Sequence, residues 1–207
     1  MLEDMLSPTI KVIVVAFCFL NAFIAKDGFA RDRRDQIILI IAMGLTLAAD
    51  IFMVLLHMNI IGIIFFCIVQ SVHNYRYTNL SRVITQVIFG AVTFVVAALT
   101  GTELIFALGL SYAVFLLFSV TGSFMAYNKY PSPNNLMIVL GMLAFMGCDI
   151  FVGLQNLPVA ALREPGTQEF LQRGIWFFYF PSQALLSSSA RKNKNYKDED
   201  DKQLLNR

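Results

Sequence analysis

A bundle of membrane-spanning α-helices is the fold class that the sequence predicts, and three observations carry the expectation. The 207 residues are 57% hydrophobic with a mean hydropathy of +0.64, and only 14% are charged. A soluble domain carries about 25% charged residues. Apolar residues gather into runs of spanning length, and the charges between the runs are sorted by side. One transmembrane helical domain over 1–190 is expected, followed by a charged, solvated, disordered cytoplasmic tail over 191–207.

A spanning helix needs about 20 mostly apolar residues. Seven runs meet that length: 9–25, 36–56, 59–77, 81–99, 103–127, 135–155 and 171–190. No A-x-A-like cleavage site follows the first run, so it reads as a retained first span. The polar stretch KDGFARDRRD (26–35) separates it from the second, and MN (58–59) makes a tight turn into the third. TNLS (78–81) and LTGT (99–102) are short links. NKYPSPNN (128–135) is a Pro- and Asn-rich breaker, and LPVAALREPGTQEF (157–170) is the longest connection.

Charge sorting fixes the parity. With seven spans, thirteen of the sixteen Lys and Arg fall in the first, third and fifth loops and the tail. Only Lys11, Arg163 and Arg173 fall on the other side. The positive-inside rule then predicts an outside N-terminus and a cytoplasmic C-terminus. Eight spans is the alternative count, and an even number would spoil this split.

Several classes are excluded. A net charge of +2 is too small for a nucleic-acid partner. Cys18, Cys67 and Cys148 lie in apolar runs and fit neither a disulfide framework nor a metal knuckle. There is no G-x-S-x-G elbow, no Gly-rich phosphate loop and no Arg-rich voltage-sensor helix. With two histidines and no H-x-x-x-H, a zinc site would need both intramembrane aspartates, so neither metal nor cofactor is expected.

Those aspartates are the signal feature. AADIFMVLL (48–56) and GCDIFVGLQ (147–155) each bury Asp-Ile-Phe in an apolar run. The match extends to Met43 with Met142 and Leu55 with Leu154, which gives five identities in fourteen positions. The two spans share an orientation, so any repeat is of the parallel kind. Asp50 lies 14 residues after Gln36, and Asp149 lies 14 after Asn135. Each is therefore ~21 Å from the cytoplasmic end of its span, in the outer half of the bilayer. A charged Asp at the centre of a span costs at least ~2.5 kcal/mol, so such residues face the protein interior. Two carboxyls held close favour one neutral acid beside one anion, an arrangement suited to acid–base chemistry.

Other polar groups follow helical spacing. Gln70, His73 and Tyr77 form one face of span three, and Tyr179, Gln183 and Ser187 one face of span seven. Tyr112 and Ser119 make a shorter stripe in span five. His57 falls on the Asp50 face but at the rim, where an interfacial role is expected. The stripes and the acids together predict one central polar cavity. By helical rise His73 lies well below the acids and ranks behind them.

The pattern resembles the YhhN-like membrane proteins, a family that includes the lysoplasmalogenases. The motifs that carry the resemblance are MGLTLAADIFM (43–53), VQSVHNYRY (69–77), GMLAFMGCDIF (141–151) and YFPSQALLSSSA (179–190), in the family's order. Tyr112 falls where the family often has a tyrosine in its fifth span. Ala49 stands where the family has Gly, Cys148 where it has Ser, and Arg76 where a Tyr would follow the histidine.

The resemblance implies hydrolysis of the vinyl-ether bond of a lysophospholipid held within the membrane. A fatty aldehyde and a glycerophospho-alcohol would leave. Asp50 and Asp149 would share the roles of proton donor and anion, as two carboxyls do in glycosidases. Gln183, Tyr179, His73 and Tyr112 would position water or the ether oxygen. The pattern does not distinguish which Asp is the acid. The alternative is a proton-coupled transporter or lipid-moving protein built on the same pair, whose mark would be broken helices flanking the site. Expected locations are a bacterial plasma membrane or a eukaryotic endoplasmic reticulum.

Overall fold

The computed structural model describes residues 2–24 and 33–190. Seven α-helices follow one another: α1 (Leu2–Ile24), α2 (Arg33–Asp50), α3 (Asn59–Tyr77), α4 (Leu80–Leu99), α5 (Leu104–Lys129), α6 (Pro133–Asn156) and α7 (Pro165–Ser188). Among the described residues there is no strand. Four stretches are long and apolar enough to cross a membrane: Arg33–Leu55, Leu80–Leu99, Leu104–Lys129 and Pro133–Asn156. The apolar part of α1, Thr9–Ile24, is shorter, and α3 and α7 carry the polar stripes. The tail over 191–207 and most of the first expected loop lie outside the described residues.

Each of the seven runs holds a helix, and the ends move for local reasons. Helix α2 starts at Arg33, inside the expected loop, with Asp35 in its first turn where a carboxylate suits the helix dipole. Ser132 caps α6, its hydroxyl accepting from Asn135 N–H at 3.2 Å, with Pro133 at the first helical position. Asn79 caps α4 in the same way, accepting from Arg82 N–H at 3.0 Å. Pro165 opens α7 six residues before the expected span.

One irregularity stands beside an acid. Helix α2 passes at Asp50 into a π-helical stretch, Ile51–Leu55. Leu56 N–H reaches Ile51 C=O at 3.0 Å and Met58 N–H reaches Phe52 C=O at 2.8 Å. Exposed His57 then turns the chain at φ 54°. Single π-turns of this kind are frequent at functional sites.

Six helices close a ring. In order around it α1 packs on α2, α2 on α3, α3 on α5, α5 on α6, α6 on α7, and α7 back on α1. Helix α4 sits outside, against α5 and α3. The outer surface is apolar, with Phe177, Phe17 and Phe89 all exposed, as suits a surface in contact with lipid. The core between α3, α5, α6 and α7 includes Phe66, Leu116, Met142, Phe145 and Leu186. Gly141 lets α6 and α7 approach: a Cβ there would lie 2.9 Å from Leu186 Cγ.

One end of the ring is tied by charge. Arg76 makes a two-pronged ion pair with Asp35, Nε to Oδ1 at 2.7 Å and Nη2 to Oδ2 at 2.8 Å. Its Nη1 also donates to Ser189 Oγ at 2.9 Å. That side chain therefore joins α3 to α2 and to the end of α7.

Candidate functional site

Asp50, the last residue of α2 before the π-turn, is fully buried. The Tyr179 hydroxyl, on α7, donates to its Oδ2. Lys11 Nζ, on α1, stands 3.6 Å from Oδ1 and lies over the Tyr179 ring, 4.5 Å from its centroid. Asp149, on α6, is half-buried, and its Oδ2 accepts from the Tyr112 hydroxyl on α5. Gln70 Nε2, on α3, approaches the same hydroxyl at 3.5 Å. Cys148, next to Asp149, packs in one apolar cluster with Tyr179, which sets the Tyr112–Asp149 pair beside the Tyr179–Asp50 pair. Each of the six ring helices thus sends one polar side chain to this cluster, and each carboxylate holds one phenol.

The structure brings together four of the residues expected at a site: Asp50, Asp149, Tyr112 and Tyr179. Gln183 is one turn beyond Tyr179 and fully buried, with Nε2 at 3.5 Å from Ser182 Oγ. His73 stands apart. Its Nδ1 is hydrogen-bonded to Tyr77 Oη at 3.0 Å, four residues on along α3. A tyrosine does partner this histidine, one residue later than the resemblance implied.

Helical rise explains the separation. Measured from the end of the ring that carries Lys11, at ~1.5 Å per residue, Asp149 lies ~10 Å deep, Tyr112 ~12 Å, Gln70 ~16 Å, His73 ~21 Å and Tyr77 ~27 Å. The acids and His73 belong to one descending series rather than to one level. Tyr112 and Gln70 are its middle steps.

Neither of two openings in the molecule is the expected central cavity. One, of about 370 Å³, lies between α4 and α5 and is lined by Val92, Val96 and Leu110. The other, of about 490 Å³, lies at the Arg76 end, lined by Asp35, Arg76, Tyr77, Lys129 and Asn134 among others. Neither is lined by Asp50 or Asp149. Two buried amide oxygens, Gln70 Oε1 and Gln183 Oε1, accept no hydrogen bond, and Asp50 Oδ1 has only the Lys11 ammonium at 3.6 Å. A buried acceptor without a partner is costly, so these oxygens suit a ligand or waters that bring donors. Among the described residues no three of His, Cys, Asp and Glu gather as metal ligands would.

Lys11 is the residue that sequence reasoning missed. It enters above only as one of three charges on the outer side. A lone ammonium inside the apolar run 9–25 is the same kind of signal as the two buried acids. Against protein-family models, curated proteins and solved structures, the chain finds no match.

Proposed function

We propose that the protein is an intramembrane hydrolase that cleaves the vinyl-ether bond of a lysophospholipid, spanning the membrane seven times with its N-terminus outside. One observation carries the reading: two carboxyls from separate helices are each bonded to a phenol, the two pairs adjoin through Cys148 and Tyr179, and of the two only Asp50 has an ammonium in contact. The resemblance of the four motifs to the YhhN-like proteins points to the same substrate.

The inequality assigns roles. Asp149 is the proton donor and Asp50, beside Lys11, is the carboxylate. Asp149 gives its proton to the vinyl β-carbon, and an oxocarbenium ion forms across the α-carbon and ether oxygen. Water adds at the α-carbon and loses a proton to Asp50. The hemiacetal hydroxyl then returns a proton to Asp149 while Asp50 protonates the leaving glycerol oxygen. Aldehyde and alcohol separate, and both carboxyls are restored. Tyr112 and Tyr179 hold the carboxyls in orientation. Removing one partner of such an acid–base pair costs about 10²–10⁴ in rate.

Purified protein in detergent should release fatty aldehyde from a lysoplasmalogen, and Asp50→Asn and Asp149→Asn should release none above background. Folded wild type that binds a saturated ether lysolipid yet releases no aldehyde would remove this reaction.

A second reading, a proton-coupled lipid or solute carrier, draws on two further observations. Helix α2 passes into a π-turn directly after Asp50, and α7 carries Pro181 within it two residues after Tyr179. Interrupted helices flanking buried acids are a transporter trait. Uptake into liposomes driven by a pH gradient, with no aldehyde formed, would select it.

A further inference from the structure

The series descending from the acids ends at an opening. Tyr77 bonds His73 and also lines the 490 Å³ cavity at the Arg76 end. Gln70, one turn from His73 on the same face of α3, approaches the hydroxyl that holds Asp149. Gln70, His73 and Tyr77 are all buried. The backbone beside them is also wired: Ser119 Oγ donates to Gln70 C=O at 2.6 Å. Gln70 Oε1 has no donor. From Gln70 to Tyr77 the axial distance is only ~10 Å, and an imidazole and a phenol occupy most of it.

A packed apolar core needs no such stripe. On the neighbouring faces Val69 is completely buried and Asn74 is tied to Gln86 of α4 at 3.0 Å, whereas Gln70 Oε1 accepts no hydrogen bond. Buried polar groups that run in file from a carboxyl to a wet opening mark a path for water or protons.

We infer that this face of α3 is an aqueous half-channel, which admits water from the Arg76 cavity past Tyr77 and His73 to Gln70 and the Tyr112–Asp149 pair. Its ligand is water, together with the protons that water carries. The Arg76–Asp35 pair lines its mouth. The inference does not depend on which reaction the acids perform, because either a hydrolase or a proton-coupled carrier has to be supplied from an aqueous side.

Thiol labelling tests it without turnover. The full-length chain with Cys18, Cys67 and Cys148 changed to Ala is reconstituted in liposomes. A small, charged, membrane-impermeant methanethiosulfonate is then added from one side at a time. Tyr77→Cys, His73→Cys and Gln70→Cys should react from the Arg76 end only, with rates falling in that order. Val69→Cys and lipid-facing Ile68→Cys should react about tenfold or more slowly, as access sets thiol reactivity. Ser119→Cys is nearly isosteric, so it reports on the channel even where a stripe residue cannot be replaced. It should be labelled from the same side, and added Tyr77→Trp should slow it. Labelling at 70, 73 and 119 no faster than at 69, or labelling from the Lys11 end alone, would overturn the inference.

Discussion

Lys11 shows how one side chain sets the character of a site. Its ammonium lies 3.6 Å from Asp50 Oδ1 and sits on the face of Tyr179. An ion pair in a low-dielectric interior is hard to break from one side, because the remaining charge is then unpaired. Lys11→Met should therefore lower stability by roughly 1–3 kcal/mol and depress aldehyde release at least about tenfold. Adding Asp50→Asn to Lys11→Met should return much of the lost stability, since the lone carboxylate is gone. Thermal unfolding of the two single variants and the double variant measures this coupling, and strictly additive losses would mean that the pair does not interact. The Tyr112 and Tyr179 hydroxyls hold the carboxyls in a way that Phe cannot reproduce. Tyr112→Phe should cut turnover while leaving lysolipid binding nearly intact, which a comparison of kcat and KM reads directly.

The elements succeed or fail on how closely their backbones approach. Helices that associate within lipid depend on small residues at their contacts. Gly90 on α4 faces Phe115 on α5, and an added Cβ would collide with the Phe115 ring. Ser111 Oγ also donates to Gly90 C=O at 2.9 Å, so the two helices cannot slide apart freely. Gly90→Ala should destabilise the protein by about 1–3 kcal/mol through overpacking. Gly109, also in a helix but with nothing within 4 Å of its added Cβ, is the control. Gly109→Ala should be neutral or stabilising by up to ~1 kcal/mol, since Ala is the better helix former. Equal melting temperatures for the two variants would show that α4 and α5 pack less closely than this. The π-turn after Asp50 is a second element-scale device. It turns the end of α2 while the Asp carboxyl stays buried.

Across the whole molecule, parity and sidedness are the testable quantities. The proposed seven-span topology would set the Lys11 end and the Arg76 end on opposite faces of the bilayer. Single cysteines at Thr102 and Asn128, in a chain freed of its own cysteines, should be labelled by an impermeant reagent from opposite sides. Thr102 should be reached from outside and Asn128 from the cytoplasm. Labelling of both from one side would break the seven-span reading and the charge argument with it.

The helices themselves were legible in the sequence because each must satisfy its own backbone, and an apolar run of spanning length leaves little other choice. Seven runs became seven helices, and Pro133, Pro165, Ser132 and Asn79 mark ends that local chemistry alone explains. The two aspartates were legible for an energetic reason, since an intramembrane carboxyl has to face the interior. What the sequence could not decide was which partners they would find. Asp50 takes its phenol from Tyr179, 129 residues away, and Asp149 takes its own from Tyr112, 37 residues away. Lys11 reaches Asp50 because α1 packs between α2 and α7. His73 is drawn to Tyr77 rather than to the acids because α3 carries it ~11 Å deeper than Asp149. Depth along a helix follows from counting residues, but partnership across helices follows from the order in which they close the ring. Only the tertiary packing fixes that order.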